Sequence, residues 1–278
     1  MLHNPMRSIF FSIIMMLGLA SSTYATPTTV TETFDSAAST AAHGWVGSNN
    51  VGAGNSFGFS NTGTVSGTPG EAGGVFARNS LFSYFADTAL GGSLTRTETL
   101  LLSGNLRLSN DDFDGALFSG YFNTADLPSS LSGPFMGLVV LEPTVGATAF
   151  RAFARIQTDA GALTESTVVL LTQGTTHTFN LTWAGNTDGS GTLSGTIGGT
   201  AVSLAQGANG DWFNAFGIGS GFAPQGTANS ALRTGPSFFD TLSYSSIQPV
   251  PEPSSYLMMI CGLGLLGISR VTRSRRRD

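Results

Sequence analysis

The sequence predicts an all-β protein whose central part, residues 26–248, folds as an antiparallel β-sandwich. Apolar and polar residues alternate with a period of two in several stretches, which is the pattern of half-buried strands. Gly, Asn, Asp and Ser separate these stretches, and no helical period is sustained between residues 26 and 249. No internal repeat of fixed period occurs, which disfavours a solenoid or a propeller.

Three consecutive runs predict a meander of strands. In the first run, residues 176–184, the apolar side chains share one face, so Trp183 is expected in the core. A turn sequence, Asn-Thr-Asp-Gly-Ser-Gly, leads to the second run at residues 191–197. A Gly-Gly pair then leads to the third run at residues 200–205.

Three further strands follow from the same alternation. The residues expected to share a face in each are Leu106 with Leu108; Phe150, Ala152, Ala154 and Ile156; and Phe238, Leu242 and Tyr244. Phe239 is expected on the opposite face of the last strand. Residues 49–74 and 207–234 are rich in Gly, Ser and Asn and predict long loops.

Charge is sparse and unevenly distributed along the chain. Only 10% of the 278 residues are charged, lysine is absent, and the formal net charge is −5. Residues 26–252 contain six Arg and 16 acidic residues, whereas residues 253–278 contain five Arg and one Asp. Nucleic-acid binding requires a basic surface, so the acidic central part argues against a nucleic-acid partner. The single cysteine, Cys261, allows no disulfide within the chain.

Residues 1–25 have the features of a secretory signal peptide. Arg7 supplies the positive start, and residues 9–19 form an apolar stretch too short to span a bilayer as a stable helix. We expect export through the Sec translocon and cleavage after Ala25, with Ala20 as a second site. The alternative is a buried hydrophobic helix of the fold.

Residues 249–278 combine three parts in a fixed order. Pro251 and Pro253 keep the first part extended, because proline fixes φ and disfavours the α conformation in the residue before it. A transmembrane helix is predicted at residues 255–269, and even with Ser254 it spans only about 24 Å, less than the roughly 30 Å hydrocarbon core. A basic end follows, which is expected to stay on the cytoplasmic side. Its arginines are Arg270, Arg273, Arg275, Arg276 and Arg277.

This three-part pattern resembles the PEP-CTERM sorting signal of exported proteins in Gram-negative bacteria that carry an exosortase. The matching motif is Val250, Pro251, Glu252 and Pro253, followed by the apolar run and the terminal arginines. The resemblance implies transient insertion into the inner membrane and cleavage near the motif by an exosortase. The product would then be at the cell surface or extracellular. The same tail also carries the name of a C-terminal domain of ice-binding proteins, which describes the tail alone. The alternative is an ordinary C-terminal membrane anchor.

The central part resembles concanavalin A-like jelly-roll domains in a few scattered stretches. These are residues 31–34, 44–45, 120–123, 178–183 and 239–242. The resemblance implies two antiparallel sheets, one of them concave, with the first and last strands side by side. It also implies that glycan binding is frequent.

The densest group of acidic residues is found at 110–115. The oxygens of Asn110, Asp112 and Asp114, followed by Gly115, suggest the start of a calcium-binding loop. An EF-hand would need Glu at the twelfth position of the loop, where this chain has Tyr121, so an EF-hand is excluded. A Ca²⁺ site of another type stays open beside a solvated turn with Asx hydrogen bonds.

Carbohydrate sites combine exposed aromatic rings with Asp and Asn side chains that hydrogen-bond the sugar hydroxyls. The aromatic residues with loop-like flanks are Trp45, Tyr84, Tyr121 and Trp212. The alternative for each of them is a place in the core, because aromatic residues dominate cores.

We identify no catalytic residue. Jelly-roll glycosidases place two acidic residues close together on one strand, and no Glu-x-Asp-x-Glu stretch occurs. His43 and His177 lack Cys or His neighbours at metal-ligand spacing and are expected to be structural. The sequence therefore favours an exported, exosortase-processed surface or matrix protein that binds polysaccharide. A secreted glycoside hydrolase or lyase is the alternative. An ice-binding surface is a third hypothesis, but no fixed repeat supplies a flat threonine array.

Overall fold

The computed structural model describes residues 26–47, 56–76, 83–108, 116–126, 133–141, 143, 148–220 and 236–247. The predicted signal peptide, the motif at 250–253, the helix at 255–269 and the terminal arginines lie outside these residues, as do Asn110, Asp112 and Asp114. Contacts join Pro27–Gln248 into one compact unit. A helix long and apolar enough to cross a membrane is absent from the described ranges.

Strands and one short helix make up the described part of the chain. In chain order they are β1 (Pro27–Glu32), α1 (Ala37–Ala42), β2 (Trp45–Gly47), β3 (Gly58–Ser60), β4 (Glu71–Gly74), β5 (Ser83–Asp87), β6 (Leu94–Thr95), β7 (Thr99–Leu108), β8 (Ala116–Phe122), β9 (Phe135–Leu141), β10 (Ala149–Gln157), β11 (Leu163–Glu165), β12 (Val169–Thr172), β13 (Thr176–Gly185), β14 (Gly191–Ile197), β15 (Thr200–Gln206), β16 (Trp212–Phe213), β17 (Ala215–Ser220) and β18 (Ser237–Ile247).

The strands form two main antiparallel sheets. Sheet A has the order β15-β14-β13-β7-β18-β4-β3, and β1 also pairs with β18. Sheet B has the order β11-β10-β9-β8-β17-β5-β2, and β12 also pairs with β10. Apolar residues of both sheets meet in one core, so the predicted antiparallel β-sandwich is confirmed. The first and last strands are neighbours, as expected, with Glu32 opposite Leu242.

The meander at residues 176–206 is also confirmed. β13 pairs with β14 and β14 with β15, and the Gly198-Gly199 turn between the last two has φ values of 55° and 79°. Positive φ at both positions favours glycine and suits a tight hairpin. Trp183 is fully buried, and its indole N–H donates to the carbonyl oxygen of Arg96 at 2.7 Å.

Two tyrosines link the sheets across the core. Tyr121, on β8 of sheet B, accepts a hydrogen bond from the N–H of Ser245 on β18 at 2.6 Å. Tyr244, on β18 of sheet A, donates to Oδ2 of Asp87 on β5 at 2.7 Å. Its ring also stacks on Phe216 with a centroid distance of 4.3 Å. Because hydrogen bonds are directional, these contacts set the position of one sheet over the other more closely than apolar packing alone.

Asp87→Asn is expected to gain stability relative to the unmodified protein as the pH rises from 4 to 7. Burial raises the pKa of Asp87, and the negative charge of Glu32 adds to this. A carboxyl whose pKa is higher in the folded state than in the unfolded chain loses stability as pH rises through that interval. The asparagine avoids this loss and its Oδ1 can still accept the N–H of Ala89, but its Nδ2 cannot accept the hydroxyl proton of Tyr244 as Oδ2 does.

Urea denaturation at pH 4 and at pH 7 measures this difference. The stability of the variant relative to the unmodified protein should be higher at pH 7, and an equal difference at both values would contradict the explanation. Asp188→Asn is the matched control. Hydrogen bonds from Ser190 lower the pKa of Asp188, so this variant should become relatively less stable as pH rises.

The last strand differs from its prediction. Phe239 lies in the core with Leu242 and Tyr244, and Phe238 lies on the outer face opposite Arg107. The register shifts between Asp240 and Ser243, where Thr241 has a φ of 53°. A bulge of this kind inserts an extra residue, which exchanges the faces before and after it.

The two predicted long loops are wrong in part, because they contain strands β3, β4, β16 and β17. β17 lies in the middle of sheet B, between β8 and β5, and all six of its residues are buried. Glycines are typical of loops, but in β17 they make room for neighbouring side chains. The ring of Phe118 occupies the position that a Cβ of Gly219 would take.

Sheet B is buried on both faces in its centre. A second apolar cluster, formed by Phe118, Phe122, Phe135, Val139 and Phe153 with smaller neighbours, lies on the face directed away from the main core. Strands buried on both faces show continuous apolar runs instead of alternation. The sequence therefore contained no period-two signal for β8 and β9.

Candidate functional site

A pocket of about 530 Å³ lies where the ends of several strands of sheet B meet the segment before β16. Residues after β8, before β9 and after β10 form one side, and the segment between β15 and β16 forms the other. Its lining is acidic and polar with one exposed aromatic ring: Asn123, Ala125, Asp126, Pro134, Asp159, Asn209, Gly210, Asp211 and Trp212.

The base of the pocket is held by a buried ion pair. Asp211 is 7% exposed and Arg96 is fully buried, and Nη2 of Arg96 lies 2.7 Å from Oδ2 of Asp211. The contact is an ion pair, and Oδ2 of Asp211 has no hydrogen-bond partner among the residues that the structure describes. The same Nη2 donates to the carbonyl oxygen of Gln157 at 2.8 Å. Burial raises the pKa of Asp211, and the charge of Arg96 opposes that rise.

Two further carboxyl groups lie above this pair. The carboxyl groups of Asp126 and Asp159 interact, and this interaction, burial and the charges of Asp159 and Asp211 all raise the pKa of Asp126. The N–H of Asp159 donates to Oδ1 of Asp211 at 3.3 Å. With three carboxyl groups and one arginine, the pocket favours ligands that donate hydrogen bonds and disfavours anions.

Two amides have their orientation set by the backbone. Oδ1 of Asn123 accepts the N–H of Ala125 at 2.9 Å, and Oδ1 of Asn209 accepts the N–H of Asp211 at 2.6 Å. Their Nδ2 groups are therefore the donors that a ligand can use.

Trp212 supplies an exposed ring at the rim of the pocket. The residue is 40% exposed, and its backbone is held by the pairing of β16 with β6, where Trp212 lies opposite Thr95. The next residue, Phe213, is fully buried and anchors the short strand. The ring is thus presented from a fixed backbone, which lowers the entropy lost when it binds a ligand.

The four aromatic residues predicted to bind glycan lie in different environments. Trp212 lies at the pocket and stays a candidate. Trp45 and Tyr121 are buried in the core, so the expectation of exposed rings is wrong for both. Their flanks look like loops, but both side chains point inward from strands β2 and β8. Tyr84 is half-buried and packs on Phe122 at 5.3 Å, away from the pocket.

The two described histidines make local contacts. Nδ1 of His43 lies 2.6 Å from Oε2 of Glu32, and Nε2 of His177 lies 2.9 Å from the carbonyl oxygen of Thr172. Across the residues with described positions, no group of three or more His, Cys, Asp or Glu side chains could hold a metal ion. The predicted Ca²⁺ site at residues 110–115 lies outside the residues that the structure describes.

The stretch Gly54-Asn55-Ser56-Phe57-Gly58 has the spacing of a nucleophile elbow. An elbow needs a sharp turn from a strand into a helix. Here Ser56 and Phe57 lead directly into strand β3, and Oγ of Ser56 accepts the N–H of Val75. The stretch therefore lacks the structural context of a catalytic serine.

Residues 249–277 match the model of the PEP-CTERM protein-sorting motif. The resemblance seen in the sequence is thereby confirmed for the tail. The motif indicates an exported protein that is processed by an exosortase and located at the cell surface or outside the cell. No curated protein shows significant similarity to the chain.

Several solved structures are similar in fold. "Cellulose induced protein, Cip1" has a TM-score of 0.50 at 12% identity, and the match covers 77% of this chain and 96% of that one. The endo-β-1,4-glucuronan lyase of the fungus Trichoderma reesei has a TM-score of 0.47 at 13% identity, with coverages of 73% and 91%. A β-glucanase of Bacillus licheniformis has a TM-score of 0.45 at 12% identity, with coverages of 78% and 97%. At these identities the likeness shows the fold alone, the concanavalin A-like jelly roll.

Proposed function

We propose that the central β-sandwich of this exported protein binds an extracellular polysaccharide in the acidic pocket beside Trp212. The observation that supports this is the exposed indole ring at the rim of a pocket lined by carboxyl and amide groups. Ligand sites commonly combine an apolar platform with a few polar groups that set orientation. A sugar ring has matching parts, an apolar face and a rim of hydroxyl groups.

Each group in the pocket has a distinct part in this proposal. Trp212 stacks on the sugar face, and the Asp126–Asp159 pair accepts hydrogen bonds from sugar hydroxyls. The Nδ2 group of Asn209 donates to a hydroxyl oxygen. Arg96 and Asp211 are buried and act by positioning, since the pair holds the base on which Asp159 rests.

The cellular setting agrees with such a ligand. The sorting motif indicates export and delivery to the cell surface or beyond it. Processing by an exosortase, after export through the Sec translocon and transient inner-membrane insertion, would leave the sandwich outside the cell, where matrix polysaccharide is found.

Trp212→Ala is expected to weaken polysaccharide binding at least about tenfold, which corresponds to roughly 1.4 kcal/mol. The measurement is retardation of the processed protein in native gels that contain neutral polysaccharides, because the acidic pocket disfavours anions. Val46→Ala is the matched control, because Val46 is 45% exposed on β2 and lines no part of the pocket. Equal retardation of Trp212→Ala and the unmodified protein would refute the proposed site.

The second candidate function is a secreted glycoside hydrolase or lyase on the same fold. It is favoured by the neighbouring carboxyls of Asp126 and Asp159, because a carboxyl whose pKa is raised by a second carboxyl is better suited to donate a proton. The retained polysaccharide distinguishes the two functions. New reducing ends or unsaturated products would support the enzyme, and polysaccharide of unchanged length would support binding.

A further inference from the structure

We infer that the protein associates with a second copy of itself through the edge strand β15. The argument starts from the edges of the two sheets. An exposed edge strand offers unpaired backbone N–H and C=O groups, and proteins normally protect such edges by shortness, charge, proline or a bulge. The described edge strands other than β15 have one or more of these protections.

β2, β3 and β11 have three residues each, and β12 has four. β1 has six residues, but it contains Pro27 at one end and Glu32 at the other. These strands are too short or carry the wrong residues for a long pairing with another chain.

β15 has none of these protections. It has seven residues, Thr200–Gln206, without charge or proline, and its register with β14 runs from end to end without a shift. Among the strands that the structure describes, β14 alone pairs with it. The outward-facing residues Ala201, Ser203 and Ala205 are exposed.

The sequence of β15 is compatible with pairing to itself. In an antiparallel arrangement with Ser203 opposite Ser203 of the second copy, Val202 lies opposite Leu204 and Ala201 opposite Ala205. Small residues would then meet on the outer face and apolar residues on the inner face, with no pair of like charges. Sheet A would continue across the two copies.

A second observation favours this side of the molecule. Three of the five exposed large apolar residues, Leu163, Val168 and Leu170, lie on or beside β11 and β12. These strands are at the edge of sheet B that lies next to β15, since Oγ1 of Thr164 donates to Oε1 of Gln206 at 2.6 Å. A second copy bound on this side would cover both the free edge of β15 and the exposed apolar residues. Exposed apolar patches commonly mark protein–protein interaction sites.

Sedimentation equilibrium of the processed protein across a concentration range tests the inference. We expect reversible dimers, and we expect Ser203→Lys to weaken dimerisation at least about tenfold, because two positive charges would face each other at the centre of the pairing. Ser194→Lys is the matched control, because Ser194 lies directly opposite Ser203 on β14, one strand away from the edge. It should leave dimerisation unchanged.

Ser203→Cys gives an independent readout under mild oxidation. Opposite residues of an antiparallel pair have Cβ atoms about 4.5–5.5 Å apart, close enough for a disulfide after a small adjustment. We expect cross-linked dimers from Ser203→Cys and none from Ser194→Cys. A protein that stays monomeric at all concentrations up to about 1 mM would overturn the inference. A dimer that Ser203→Lys leaves intact would overturn it as well.

Discussion

Arg96→Met is expected to destabilise the folded protein by about 3–5 kcal/mol. The substitution leaves Asp211 buried without its positive partner, in a region that already contains Asp159. Removal of one member of a buried ion pair is costly, because the remaining charge keeps its desolvation penalty and loses its compensation. Urea denaturation of the variant at pH 7 measures the loss.

The double variant Arg96→Met/Asp211→Asn separates the charge effect from the loss of packing. It removes both charges, so it should be more stable than Arg96→Met alone. The carbonyl oxygen of residue 96 still accepts the indole N–H of Trp183 in both variants, because that bond uses the backbone. If the effects of the two single substitutions simply add, the explanation through the ion pair is wrong.

Trp183→Ala is expected to cost a similar amount, about 3–5 kcal/mol. Trp183 is fully buried in β13, between β7 and β14, and its truncation leaves a cavity in the centre of sheet A's inner face. It also removes the hydrogen bond from the indole N–H to the carbonyl oxygen of Arg96. Since a typical domain is stable by only about 5–15 kcal/mol, the variant could lose a large share of its folded population.

Trp183→Phe keeps the test measurable if the alanine variant does not fold. It retains most of the buried volume and loses the hydrogen bond, so a cost of about 1–3 kcal/mol is expected in urea denaturation. Trp212→Ala is the control, because a tryptophan that is 40% exposed at the rim of the pocket should cost clearly less than Trp183→Ala. Equal costs at Trp183 and Trp212 would contradict the position of Trp183 in the core.

The three tryptophans also show how far local pattern can separate core from surface. Trp183 stands in a strand with clear alternation, so its burial was predictable. Trp45 and Trp212 both stand in strands of two or three residues, which are too short to show a period. One is buried and the other exposed, and that difference depends on which neighbours cover each ring.

The strands of sheet B were harder to predict from the sequence than those of sheet A, for a related reason. The outer face of β13 and β14 is in contact with water, so polar residues alternate with apolar ones there. β8, β9 and β17 are apolar or small on both faces, and their side chains on the face opposite the core are buried in a second cluster. Apolar and polar residues alternate along a strand only when one of its faces is exposed to water. The alternation is therefore absent from strands that are buried on both faces.

The features that local order alone could establish are the sorting signal and the all-β class. The sorting signal consists of neighbouring residues in a fixed order. The meander consists of consecutive strands with their turns. Both can therefore be recognised from short stretches of the sequence. The acidic pocket, the Arg96–Asp211 pair and the free edge of β15 were decided by the tertiary structure. Asp126, Asp159 and Asp211 are far apart in sequence, and they converge only because the packing of the two sheets brings the ends of their strands together.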